Sequence, residues 1–168
     1  MDFMTDALRL LLFPSLMAFA ASSDLLTMTI SNRISLLLIA GFVALAPAAG
    51  LSFEAMGWHF LAGLLVLVVS FGFFSRGWVG GGDAKLAAAA ALWFGFDQMM
   101  PFLLYASVLG GALTLLMLQF REYPLHPVFV RQDWVLRLHH KDTGIPYGIA
   151  LAASALMTYP DTIWMKGF

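Results

Sequence analysis

Two aspartates carry most of the chemistry this chain has to offer. Asp24 stands in "AFAASSDLLTMTISNRI" and Asp83 in "WVGGGDAKLAAAAALWF", each beside a long apolar run. The chain contains no cysteine, which excludes disulfides, thiolate zinc modules and a thiol nucleophile. Two carboxylates a few ångströms apart cannot both ionise easily. They share one proton, so that one serves as base while the other serves as acid. The base takes a proton from water, and the water attacks a carbonyl such as that of a peptide. The acid stabilises the tetrahedral oxygen and later protonates the leaving amine. Such a pair titrates as a unit and calls for no metal or other cofactor. What it does need is a scaffold that brings Asp24 and Asp83 together.

The composition says what that scaffold is. The 168 residues are 61% hydrophobic and 11% charged, with a net charge of −1, whereas soluble domains are roughly half apolar and about a quarter charged. A chain this short cannot hide so much apolar surface from water. The reading is an all-α, polytopic membrane protein, one bundle over residues 1–168, with the bilayer as its surroundings and no nucleic-acid partner. Six runs approach the roughly 20 apolar residues of a membrane span: about 7–28, 34–52, 56–75, 84–97, 99–119 and 145–164. The first follows two acids, leads to no small-residue cleavage site and reads as a retained helix. The fourth is short and either starts below the surface or extends through the glycines. The 121–144 connection reads equally well as a short interfacial helix or as a basic loop.

With six spans the connections alternate sides. Arg33, Arg76, Lys85, Arg121, Arg131, Arg137 and Lys141 then fall on one side, and only Arg9 and Lys166 on the other. This bias makes the first side cytoplasmic and puts both termini outside. Asp24, at the end of the first span, and Asp83, at the start of the fourth, share the cytoplasmic end. Ionisable groups at membrane depth are costly and mark function by default. Gly80, Gly81 and Gly82 permit unusual backbone angles and close approach of another chain, as an extended peptide beside Asp83 would require. On the local pattern alone, an ordinary turn with Asp83 as helix N-cap accounts for them equally well.

Three segments together resemble a family. "GGGD" at Gly80–Asp83 fits the GxGD signature of membrane aspartyl proteases, and "GGGDAKL" resembles its prepilin peptidase form. "SDLLTMTISNRIS" is similar to the family's other aspartate segment, with Ser31 where proline is common, and "GIPYGIALAAS" is similar to the segment that opens the last helix. The resemblance implies an aspartic endopeptidase in the bacterial cytoplasmic membrane, with Asp24 and Asp83 catalytic. Its partner would be a type IV prepilin whose short basic leader is cut before a hydrophobic helix, with pilus assembly machinery nearby. The absence of a four-cysteine insert resembles the short CpaA/TadV-like form of Flp/Tad systems, and no pattern for a methylation cofactor is present. Beside the site the resemblance places Asn32, Lys85, Pro146 and Gly148. Lys85 either tunes the pair, meets a substrate carboxylate or snorkels to the headgroups. Asn32 turns the chain, and Pro146 and Gly148 shape the sixth helix. His59 and His126 read as satisfied side chains, His139 and His140 fall short of a metal set, and Trp58, Trp78 and Trp164 read as interfacial anchors.

Other classes fit part of the pattern. A small proton-coupled transporter would use the aspartates as a relay, but both lie at one face and no repeat halves are visible. A non-catalytic assembly subunit would leave the acid pair unexplained. Proteases of the signal-peptide-peptidase type carry a Tyr-Asp motif, and here Ser23 precedes Asp24.

Overall fold

The computed structural model describes residues 3–126 and 128–165. Asp2, Lys166 and the side chain of Asp6 lie outside that description. The described residues form six α-helices: α1 (Phe3–Thr27), α2 (Asn32–Leu45), α3 (Phe53–Ser75), α4 (Gly81–Glu122), α5 (Asp133–His139) and α6 (Tyr147–Thr158). Three stretches are long and apolar enough to cross a membrane, Ala7–Thr27, Phe53–Ser75 and Gly81–Glu122. At 1.5 Å per residue, α3 spans roughly 35 Å, more than the hydrocarbon core of about 30 Å.

Local chemistry sets the helix boundaries near the aspartates. Met28 takes a left-handed φ of 56° and ends α1, its N–H still reaching the Asp24 carbonyl at 2.8 Å. The Ser23 hydroxyl donates to the Thr29 carbonyl at 2.8 Å and pins the strand-like exit. Ser31 then caps α2, its hydroxyl accepting from the Arg33 N–H, which puts Asn32 inside the first turn. α2 stops at Leu45, earlier than the expected 52, because residues 46–50 turn and Gly50 takes a φ of 81°. Ser52 caps α3 through the Ala55 N–H.

The expected fourth and fifth spans are joined in α4, broken only at Gly95, where φ is 57° and ψ −171°. The arms double back there. Asp83, Ala84 and Ala87 of the first arm share one groove with Leu103, Ala106 and Ser107 of the second, and Phe94 lies 4.9 Å from Phe102. Rising numbers opposite falling ones make the arms antiparallel. Gly95 serves where no other residue would: its φ is left-handed, and a Cβ there would meet the His59 ring at 2.8 Å. His59 in turn lies 2.8 Å from the Leu92 carbonyl through Nδ1, the satisfied side chain expected of it.

α4 packs against α3 and α6, and α1 packs against α6. Lipid is as apolar as leucine, so helices associate through close fit rather than hydrophobic transfer. The run Ala87–Ala91 is buried and lets the neighbours approach. At the Gly95 end the fit is aromatic: Phe13 stacks on Tyr159 at 4.7 Å, and Trp93 meets Trp164 at 4.6 Å. Trp164 is therefore no interfacial anchor. It is fully buried and donates its indole N–H to the Trp93 carbonyl at 2.8 Å. Trp58 and Trp78 remain exposed. The last span is shorter than expected, with α6 giving way at Tyr159–Asp161 to a single tight turn.

The 121–144 connection holds a short helix, α5, with Val135 and Leu138 turned inward. Arg121, 9% exposed, donates to the carbonyls of Leu138 and Gly144, each at 2.8 Å. Arg137 donates to the Leu26 carbonyl at 2.7 Å. Arg121 thus ties this segment to the end of α4, and Arg137 ties it to the end of α1.

Candidate active site

Asp24 occupies the last turn of α1, a position where a negative charge opposes the helix dipole. A second helix compensates. The Gly148 N–H, in the first turn of α6, donates to Asp24 Oδ2 at 2.7 Å. The residue before α6, Pro146, provides no side-chain cap, so Asp24 satisfies one of the orphan donors of a helix N-terminus from across the bundle. The fit is tight: a Cβ on Gly148 would meet Asp24 Oδ2 at 2.8 Å, Asp24 Cβ at 2.9 Å and Ile30 Cδ1 at 2.9 Å. Asp24 is 6% exposed.

Asp83 sits in the first turn of α4. Gly80 is the N-cap, which makes Asp83 the third helical residue and corrects the N-cap alternative. Its carboxylate turns back on the Gly80 backbone, close enough that a Cβ on Gly80 would meet Oδ2 at 2.7 Å. The glycines work differently from the expectation. Gly80 is extended at φ −68° and ψ 144°, Gly81 and Gly82 are helical, and none has a positive φ. Their contribution is space, since a Cβ on Gly82 would press on Ile30 at 3.2 Å.

The two acids meet. Asp24, Met28, Thr29, Ile30, Gly80, Gly81, Gly82 and Asp83 line one cavity of about 250 Å³. Among the described residues, Asp83 Oδ1 is buried and has no hydrogen-bond partner. A purely structural carboxylate in a helix first turn is hydrogen-bonded or solvated. A buried oxygen without a partner, on a carboxylate that shares a cavity with a second acid, is instead what a site for water or a peptide group provides. The cavity is polar and roomy enough for several waters.

The other expected site residues divide. Gly148 belongs to the site by direct contact. Pro146 is buried and stands at the start of α6 outside the cavity lining. Lys85 and Asn32 are not brought into the cavity: Lys85 Nζ donates to Asn32 Oδ1 at 2.9 Å. Both line a larger hollow of about 470 Å³ between α2 and α3, which contains neither aspartate. Met28, Thr29 and Ile30 complete the lining and are not among the expected site residues. The hydroxyls of Thr27, Thr29 and Ser31, interleaved with apolar residues after Asp24, were their only signal.

The fold and site define a helical membrane protein in which a buried Asp24 and a half-buried Asp83 line one cavity. The model of the type IV leader peptidase family matches residues 11–115, a stretch that holds Asp24, Asn32, Gly80–Asp83 and Lys85. The chain belongs to that family and is an integral membrane peptidase. Neither a curated protein nor a solved structure matches it.

Proposed function

We propose that this chain is an aspartic endopeptidase that removes the basic leader of Flp-type prepilins at the cytoplasmic face of the bacterial inner membrane. The observation that carries this reading is the shared cavity of Asp24 and Asp83, with Asp83 Oδ1 buried and unpartnered among the described residues. In the proposed reaction one carboxylate takes a proton from water and the oxygen adds to the scissile carbonyl. The partner acid donates to the carbonyl oxygen, then the C–N bond breaks and the amine leaves protonated. Asp24 is held for this role by the Gly148 N–H, and Asp83 by the first turn of α4. The basic bias of the connections at the aspartate end supports a cytoplasmic site and external termini. The missing four-cysteine insert supports the short, Flp-associated form.

The test is cleavage of a Flp-type prepilin by the purified protein, read by product mass. Asp24→Asn and Asp83→Asn, each still inserted and folded, should lower the rate by at least 10²–10⁴-fold, roughly the range for lost acid–base catalysis. A variant that keeps most of its activity removes that aspartate from the mechanism.

A further inference from the structure

Asp83 borders a second cavity. A groove of about 280 Å³, lined by Asp83 but not by Asp24, runs between the end of α3, the two arms of α4 and α6. Its floor and walls are mostly small or apolar, Ala84, Ala87, Leu103, Ala106 and Ala150 among them, with Asp83 at one end. Trp78 and Ser107 on its rim are exposed, so in a bilayer the groove opens sideways to lipid. The site cavity, which Asp83 also lines, is different in kind, with Asp24, Thr29 and Gly80–Gly82 in its walls. One residue, Asp83, thus belongs to both a polar chamber and an apolar, small-residue groove.

We propose that the groove is the docking site for the first turn of the substrate's apolar helix on the mature side of the cut. The basic leader then lies over the chamber of Asp24 and Thr29. This rests on the peptidase reading above and adds a direction to the bound chain. A peptide that is charged before the scissile bond and apolar after it needs two unlike surfaces meeting at the acid, and only in this orientation does each half meet its own kind. From Asp83 to Ala87 is one helical turn, roughly 6 Å at 1.5 Å per residue. Ala84, Ala87 and Ala106 offer the close backbone approach by which helices associate in lipid. The lateral opening lets a membrane helix enter without leaving the bilayer. The larger hollow between α2 and α3 is a poorer candidate despite its size, because it ends at Lys85 and touches neither acid.

The absence of native cysteine makes the orientation measurable. Single cysteines would be placed at Ala106 in the groove, Thr29 in the chamber and Leu64 in the other hollow, in an Asp83→Asn background that holds substrate uncut. Prepilins would carry one cysteine, either in the leader or in the first turn after the cut. Oxidative cross-linking in proteoliposomes should join Ala106→Cys to the mature-side cysteine and Thr29→Cys to the leader cysteine. Leu64→Cys should join neither. The reverse pairing, or capture of the mature side by Leu64→Cys, overturns the proposal. So does a groove that cross-links to no part of the prepilin, the result expected if a lipid chain fills it. In the otherwise intact enzyme, Ala106→Trp should raise KM for prepilin by roughly tenfold or more with a smaller effect on kcat, the signature of lost substrate binding, and an unchanged KM counts against the groove. Failure of the intact enzyme to cleave any prepilin overturns the peptidase reading itself. Cleavage with the wrong cross-links overturns only the orientation.

Discussion

Replacing Gly148 with alanine separates a site held by close contact from a helix that merely passes nearby. In an ordinary helix the change is favourable, because glycine costs roughly 0.5–1 kcal/mol relative to alanine. Here the added Cβ would stand 2.8 Å from Asp24 Oδ2, 2.9 Å from Asp24 Cβ and 2.9 Å from Ile30 Cδ1. All three are closer than carbon makes with neighbours in a packed interior, where contacts fall at roughly 3.5–4.0 Å. The Asp24 side chain or the start of α6 must move by the better part of an ångström, and the 2.7 Å bond from the Gly148 N–H is stretched or lost. Overpacking of this kind costs about 1–3 kcal/mol, and loss of a hydrogen bond to a charged group about 1.5–3 kcal/mol. Both exceed the helix-propensity gain, so the protein should be destabilised. For catalysis, a 1 Å misplacement of a reacting group costs roughly 100-fold, equivalent to about 2.7 kcal/mol of barrier. The assay is prepilin cleavage under saturating and limiting substrate, with thermal unfolding in the same detergent. The expectation is a kcat reduced about 100-fold, a KM little changed and a lowered melting temperature. A Gly148→Ala enzyme as stable as the parent, with kcat within about threefold, would refute the contact between α6 and Asp24 as the device that positions it.

Three further outcomes follow from the fold. Gly95→Ala places a side chain at φ 57° against the His59 ring, so it should lose roughly 1–2 kcal/mol from backbone strain alone and more from the clash, read as a lowered unfolding temperature. Arg121→Met removes the donors to the Leu138 and Gly144 carbonyls, bonds worth about 1.5–3 kcal/mol each; limited proteolysis should then cut between residues 122 and 144 at protease levels that leave the parent intact. A reporter fused after Lys141 should read cytoplasmic and one at the C-terminus external; reversed signals would turn the bundle over.

The aspartates were legible because carboxylates are expensive in a chain this apolar, and Asp24 has no basic residue near it in sequence to explain it as an ordinary ion pair, although Lys85 stands two residues beyond Asp83. Their meeting in one cavity was less accessible, since it depends on α1, α4 and α6 packing together. The contact of Gly148 with Asp24 belongs to that tertiary fit and has no local signature. Hydropathy found the apolar arms of α4 but not the nature of their junction, because one left-handed glycine does the work of a loop. Trp164 misled for a related reason: an aromatic near a chain end suggests an interface, and only the facing Trp93 carbonyl reveals a buried donor. The three glycines before Asp83 suggested unusual angles, whereas the side chain of Ile30 explains the lack of bulk at Gly82.

Asp24 also ties α6 to α1, and this gives the two acids unequal fates under mutation over generations. A descendant that no longer needed to cut anything would still need an acceptor at position 24 for the buried Gly148 N–H of α6, so asparagine could replace the acid there while alanine would loosen the bundle. Position 83 carries only a local obligation, because its carboxylate turns back on the Gly80 backbone of its own helix and its other oxygen has no partner among the described residues. Relaxed selection should therefore erase Asp83 first. A copy of this gene that keeps an acceptor at 24 and has lost the acid at 83 would be the fossil of a peptidase that kept its fold after its reaction.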